Sequence, residues 1–100
     1  MQEPVLRKLF LGFIQIHILH HGKIEPFYGS WMIEELAHHG YDVSPGTIYP
    51  ILHNLEKAEL LETEKKVVNG KSRKYYKITE KGEDVLEKAK EKIKELTHEL

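Results

Sequence analysis

The sequence predicts a mainly α domain with one small β-hairpin, an α+β arrangement. Three observations carry that expectation. Apolar residues recur at helical spacing near both ends of the chain; a capped helix opens at Ser44; and two strand-like runs flank the dipeptide Asn69-Gly70.

Taken in order, residues 4–21 form the first helix. Val5, Leu6, Leu9, Phe10, Leu11, Phe13, Ile14, Ile16, Ile18 and Leu19 cover almost its whole circumference. A helix apolar all round must be covered on all sides. A domain of this size buries one face, so a second chain is expected over the other. His20-His21-Gly22 is read as its end, with cation-capable residues and a glycine at the C-terminal turn. The second helix runs from about Tyr28 to His39, with Met32, Ile33, Leu36 and Ala37 inward, and Gly40 stops it. Tyr41-Asp42-Val43 then turns the chain into a third helix.

Ser44 is a good N-cap for that helix, since its hydroxyl can accept from an unpaired first-turn amide. Pro45 follows at the first helical position, where its missing N–H costs nothing. Ile48, Ile51, Leu52 and Leu55 mark the apolar face. The opposite face carries Thr47, Tyr49, His53 and Asn54, polar groups with no carboxylate to repel a phosphate or a base edge. Pro50 removes one hydrogen bond. It is read as a bend near the helix start, because the apolar period continues past it.

The hairpin comes next. Leu61–Val68 and Arg73–Thr79 are the strand runs, and Asn69-Gly70-Lys71-Ser72 is the connection, because Asn-Gly tolerates the positive φ of a tight hairpin turn. Val67, Tyr76 and Ile78 are expected on the packed side, with Tyr75 facing out. Lys65, Lys66, Lys71, Arg73, Lys74, Lys77 and Lys81 load this segment with charge. From Lys65 to Lys81 the only acid is Glu80, so the segment carries +6 in a chain whose net charge is −1. A solvated edge strand uses a few lysines to prevent aggregation; seven, reaching the tip, suit a surface that neutralises phosphates. The last helix, residues 80–100, repeats Val85, Ala89, Ile93, Leu96 and Leu100 as a narrow seam, with Glu and Lys alternating outside it. First and last helices are expected to make a dimer interface, leaving helix three and the hairpin on the opposite side.

SPGTIYPILHNLEKAELL followed by RKYYKITEKG closely resembles the PadR family of winged-helix transcriptional regulators, and FYGSWMIEELAHHGYDVS is similar to that family's second helix. The resemblance spans roughly residues 5 to 100. It implies a winged helix-turn-helix with N- and C-terminal dimerisation helices, a homodimer, and repression at a palindromic duplex DNA operator. Carried over by position, Ser44, Pro45, Gly46, Thr47, Tyr49 and Pro50 are recognition-helix positions, and Lys71, Arg73, Lys74 and Tyr76 are wing positions. With the residue reading, the expected DNA-contacting set adds His53, Lys65 and Tyr75. The chain is expected to be one domain over 1–100: a dimerisation helix at 4–21, a winged core at 28–79 and a second dimerisation helix at 80–100. Ser30 and Trp31 stand where the family commonly has an aromatic and an acid. The last helix has no aromatic with which to face a flat ligand at the dimer centre, as some short members do. Trp31 is the one residue singled out for a small-molecule effector.

Composition bounds the rest. One hundred residues with 40% apolar content build a modest core. With no cysteine there is no disulfide, thiolate metal site or thiol switch. No run reaches the roughly 18 apolar residues of a membrane span. Leu9–Leu19 is interrupted by Gly12, Gln15 and His17 and has no cleavage site after it, so a cytoplasmic protein is expected. No activated nucleophile, phosphate loop or paired acids point to an enzyme, and no cofactor is expected. Two alternatives stay open. His17, His20 and His21 stand at i, i+3, i+4, so His17 and His21 with a carboxylate suit a metal-responsive sensor, although histidines near a helix end also serve plain electrostatics and no acidic cluster adjoins them in sequence. The near-neutral total charge suits a winged helix that only binds protein.

Overall fold

A computed structural model describes residues 3–100; the first two residues of the expected 1–100 domain lie outside it. The elements are α1 (Pro4–Ile24), β1 (Phe27–Tyr28), α2 (Gly29–His38), α3 (Pro45–Lys57), β2 (Leu61–Val68), β3 (Lys71–Ile78) and α4 (Glu80–Glu99). The strands form one antiparallel sheet in the order β1-β3-β2. Helices α2 and α3 with the β2–β3 ribbon make a winged helix-turn-helix.

One apolar core holds these elements together. Ile14 and Ile18 of α1, Met32 and Leu36 of α2, and Ile48 and Leu52 of α3 are all fully buried. Truncating any of them to Ala costs about 2–5 kcal/mol. The i, i+4 spacing of each pair puts both members on one helical face.

Helix α1 does not end at Gly22. It continues to Ile24, and Gly22 is buried inside it. A Cβ there would press on the Ile78 amide at 3.1 Å, with Leu61 and Phe27 just beyond. The glycine is needed so that β3 can cross the helix closely. The helix entry is also unlike the expected one at α3: Ser44 is the N-cap residue, but its hydroxyl faces the Thr47 hydroxyl at 3.4 Å and caps no amide. Its backbone carbonyl accepts from Thr47 and Ile48. Helix α3 runs unbroken past Pro50. On α2, Ala37 is exposed and does not join Met32 and Leu36 in the core. His39 caps α2, and Gly40 at φ 87° turns the chain back, with the Tyr41 amide donating to the Leu36 carbonyl at 2.9 Å.

The hairpin turn is tighter than expected. Lys71 already pairs with Val68, so only Asn69 and Gly70 form the loop, at φ 52° and 76°. Tyr76 is buried and Tyr75 partly exposed, as strand alternation predicts, but Val67 is 75% exposed because the ribbon has left the core by that point. The third strand, β1, was not expected. It pairs Phe27 with Tyr76 and Tyr28 with Tyr75.

Helix α4 is capped by Thr79, whose hydroxyl accepts from the Gly82 amide at 2.9 Å and donates to the Glu59 carbonyl at 2.6 Å. Leu86 and Gly82 anchor it to the core. Leu86 lies one position off the Val85–Leu100 seam. Val85, Ile93, Leu96 and Leu100 therefore remain exposed, as do Val5, Leu6 and Leu9 of α1.

Candidate nucleic-acid interface

The outer face of α3 is bare. Ser44, Pro45, Gly46, Tyr49, Pro50 and His53 are exposed and Thr47 is partly so, while Ile48, Leu52 and Leu55 fill the inner face. The helix has no acid in its first turn, which leaves its positive dipole end uncancelled.

Tyr49 lies across the start of α2. A Cβ on Gly29 would collide with the Tyr49 ring, so the Tyr28-Gly29 pair provides the space into which that ring folds. Tyr49 is still 44% exposed. The ring is thus packed against Gly29 while part of it stays open to solvent. Between α3 and the wing is a groove of about 390 Å³, bordered by Gly29 and Ser30, Tyr49, and Ser72, Arg73 and Lys74 of β3.

The seven basic residues of the wing and the first turn of α4 divide by position. Near its root, Lys74 Nζ donates to Glu56 Oε1 at 3.0 Å, and the same carboxylate accepts from the Thr63 hydroxyl at 2.9 Å. Those two hydrogen bonds hold the Glu56 carboxyl below the usual carboxylate range, and the Glu56 bond raises the Lys74 ammonium above its ordinary value. Lys77 pairs with Glu62 at 3.2 Å, and Lys81 donates to the Ala58 carbonyl at 3.1 Å. Towards the tip, Lys65, Lys66 and Lys71 make no ion pair among the described residues. The Arg73 guanidinium sits 4.1 Å from the Tyr28 ring centroid, and Lys66 sits 5.2 Å from that of Tyr75. Of the expected contact set, then, Lys65, Lys71, Arg73 and Tyr75 stand at the surface with the α3 face. Lys74 is there too, but with its charge already engaged. Glu56 is the residue missed in the sequence. It lies eighteen residues from its partner, beyond any local spacing rule.

Trp31 is half-buried, its ring 6.3 Å from Phe27 and 5.5 Å from His21 between centroids. An apolar cavity of about 320 Å³ lies elsewhere, between Phe13, Ile16 and His17 of α1, Tyr41, and Leu86 of α4.

The histidines do not all stay at helix ends. His17 and His21 meet His39, with one donor atom from each lying within 4.8 Å of the others. Glu35 joins them: its Oε2 lies 3.0 Å from His39 Nε2 and 3.4 Å from His21 Nε2. Desolvation pushes the Glu35 carboxyl up, but the His39 hydrogen bond and the charges of His21, His39 and His38 outweigh it and hold the group low. Burial, with the neighbouring rings, lowers His17 and His21 against the pull of Glu35. The sequence pairs His17 and His21 with a carboxylate it does not identify. The fold adds His39 as a third imidazole and brings Glu35 up as the acid.

Comparison with known proteins agrees with this architecture. Residues 18–88 match the profile of the transcriptional regulator PadR-like family. The chain is 40% identical over 95 residues to Transcriptional regulator Rv3488 of Mycobacterium tuberculosis, spanning 95% of this chain and 89% of that one. Among solved structures, a PadR family transcriptional regulator from Eggerthella lenta superposes with a TM-score of 0.83 at 30% identity, covering 95% of this chain and 84% of that chain. A PadR-like regulator from Bacillus cereus gives 0.83 at 34% identity, covering 91% and 90%.

Proposed function

The chain belongs to the transcriptional regulator PadR-like family, and from that premise we propose that it is a homodimeric repressor that binds a palindromic DNA operator through α3 and the wing and is released by a small-molecule effector. Membership makes it a transcriptional regulator and not an enzyme. One observation carries the finer reading: Tyr49 of the carboxylate-free α3 face and Arg73 and Lys74 of the wing border the same groove. Phosphate contacts from Lys65, Lys66 and Lys71 supply affinity without sequence preference, and the α3 side chains supply discrimination. Thr47, Tyr49 and His53 are the groups for base edges. Gly46, at the open helix end, suits a phosphate.

Dimerisation is supported by what α1 and α4 leave uncovered. Val5, Leu6 and Leu9 on one helix and Ile93, Leu96 and Leu100 on the other are large apolar groups facing water in the isolated chain. A second copy would cover both, and its two recognition helices would reach half-sites about 10 bp apart, or a multiple of that. Trp31 is retained as the effector contact, together with the protein's place in the cytoplasm.

Selection of bound sequences from random duplexes tests this reading. A palindrome with half-sites one or two turns apart, and a solution mass of two chains, are the expected results. No enriched sequence, or a single-chain mass at micromolar concentration, would overturn it.

A further inference from the structure

We propose that His17, His21, His39 and Glu35 form a site for one zinc-type divalent transition-metal ion per chain. His17 and His21 stand one turn apart on α1, which aims both rings the same way, and His39 enters from the end of α2. Tetrahedral zinc, with ligands at about 2.0–2.1 Å, needs donor atoms roughly 3.3 Å apart. The Glu35 Oε2 separations of 3.0 Å from His39 Nε2 and 3.4 Å from His21 Nε2 already approach that edge. The three imidazole donors lie within 4.8 Å of one another, so ring shifts of no more than about 1.5 Å close the set.

A second observation points the same way. His21 Nε2 is buried and makes no hydrogen bond, its approach to Glu35 being too poorly aligned. A buried, unpartnered nitrogen is costly unless something binds it. Three imidazoles and a carboxylate select a borderline ion over magnesium or calcium, which prefer oxygen donors, and without cysteine the site holds no thiolate for copper(I). His20 and His38 stand outside: His38 Nδ1 is 3.8 Å from Glu35 on the exposed side.

The position gives the ion a consequence, which rests on the regulator reading above, although the site itself does not. Tyr41, in the turn into α3, packs on Phe10 and on His17, with ring centroids 5.9 and 5.6 Å away. An ion joining His39 to α1 ties that turn to the helix assigned to the dimer interface. It thereby sets how far apart the two recognition helices sit, and so tunes operator affinity.

Cobalt(II) titration of the full-length protein, without DNA, tests the site. The expected result is the intense visible absorption of four-coordinate cobalt, saturating at one ion per chain and displaced by zinc. His39→Gln and His21→Gln should each weaken binding at least tenfold, while His98→Gln leaves it unchanged; circular dichroism confirms that each variant is folded. Should His21→Gln fail to fold, the exposed His39 and Glu35→Gln carry the test. Weak six-coordinate absorption, no saturation, or undiminished binding in His39→Gln would overturn the site and leave an ion pair between Glu35 and its histidines. A selected duplex is then bound in zinc and in chelator. A shift of at least threefold in the wild type, absent in His39→Gln, supports the regulatory consequence, and equal affinities overturn it. Failure to bind duplex under either condition would strike the regulator reading and leave the metal titration standing.

Discussion

The root and the tip of the wing both carry lysines, but the root lysines are paired and the tip lysines are not. At the root, Lys74, Lys77 and Lys81 are held by Glu56, Glu62 and a backbone carbonyl. At the tip, Lys65, Lys66 and Lys71 face solvent without an acid partner among the described residues. Register explains part of the difference. Lys65 stands directly opposite Lys74, a repulsive cross-strand pair, and Glu56 reaching over from α3 relieves it. Beyond that point the ribbon outruns α3, and no acid is near. A count of lysines therefore overstates the charge available to a partner. What matters is whether an acid reaches each charge: Lys65 and Lys74 stand at the same level of the ribbon, yet only Lys74 is paired.

The most forceful way to break this contrast is to remove the tip. Replacing Lys65, Lys66 and Lys71 together with Ala should weaken binding to every duplex by roughly 100-fold at low salt and flatten the log–log salt slope by about 2 to 3. Fluorescence anisotropy across a salt series measures both, and an unchanged slope would show that the tip does not touch phosphates. Tyr49→Ala probes the neighbouring helix face. Specific affinity should fall about tenfold or more while non-specific affinity changes by less than about threefold. Gly29→Ala, which displaces the same ring, should reproduce that pattern; equal losses on all sequences would make Tyr49 a packing residue.

The root should respond in stability and only weakly in DNA binding. Lys74→Ala is expected to cost no more than about 1 kcal/mol in urea unfolding, because the pair is partly exposed, and to leave the salt slope unaltered. Glu56→Gln should free Lys74 and strengthen non-specific binding slightly. Its pH signature is distinctive. Glu56 has a lowered folded-state value, so its contribution is complete above the unfolded carboxylate value near 4.3 and is lost as pH falls through the folded one. Lys74 is raised, so its share is complete below about 10.4 and is lost as pH rises further. Both limbs should flatten in Glu56→Gln. The smallest effect concerns backbone. Asn69 and Gly70 take positive φ at the tip, where both residues tolerate it, but at the root Glu59 holds φ 65°. Glu59→Gly should stabilise the fold by about 0.5–1 kcal/mol; destabilisation would mean that the Glu59 side chain has a role of its own.

Much of the fold was legible because its signals are local. The 3.6-residue period identified the inner faces of α2 and α3 apart from Ala37, and Asn-Gly located the hairpin. Ser44-Pro45 marked the start of α3 even though the Ser44 hydroxyl does not cap. The misreadings share a cause. Gly22 has the look of a helix stop, yet its lack of a side chain serves the crossing strand β3, more than fifty residues away. Phe27-Tyr28 is too short to register as a strand without the edge of β3 to pair with. Val67 alternates correctly but projects beyond the core.

The amino-acid order alone determined the helices, the ribbon, the exposed polar face of α3 and the concentration of cations near residue 70, because propensity, periodicity and charge act between neighbours in the chain. Tertiary structure decided which cations stay free, why Gly29 must make room for Tyr49, and that His39 and Glu35 join His17 and His21. Those outcomes depend on distances between groups remote in sequence, and such distances exist only once the core has brought the helices together.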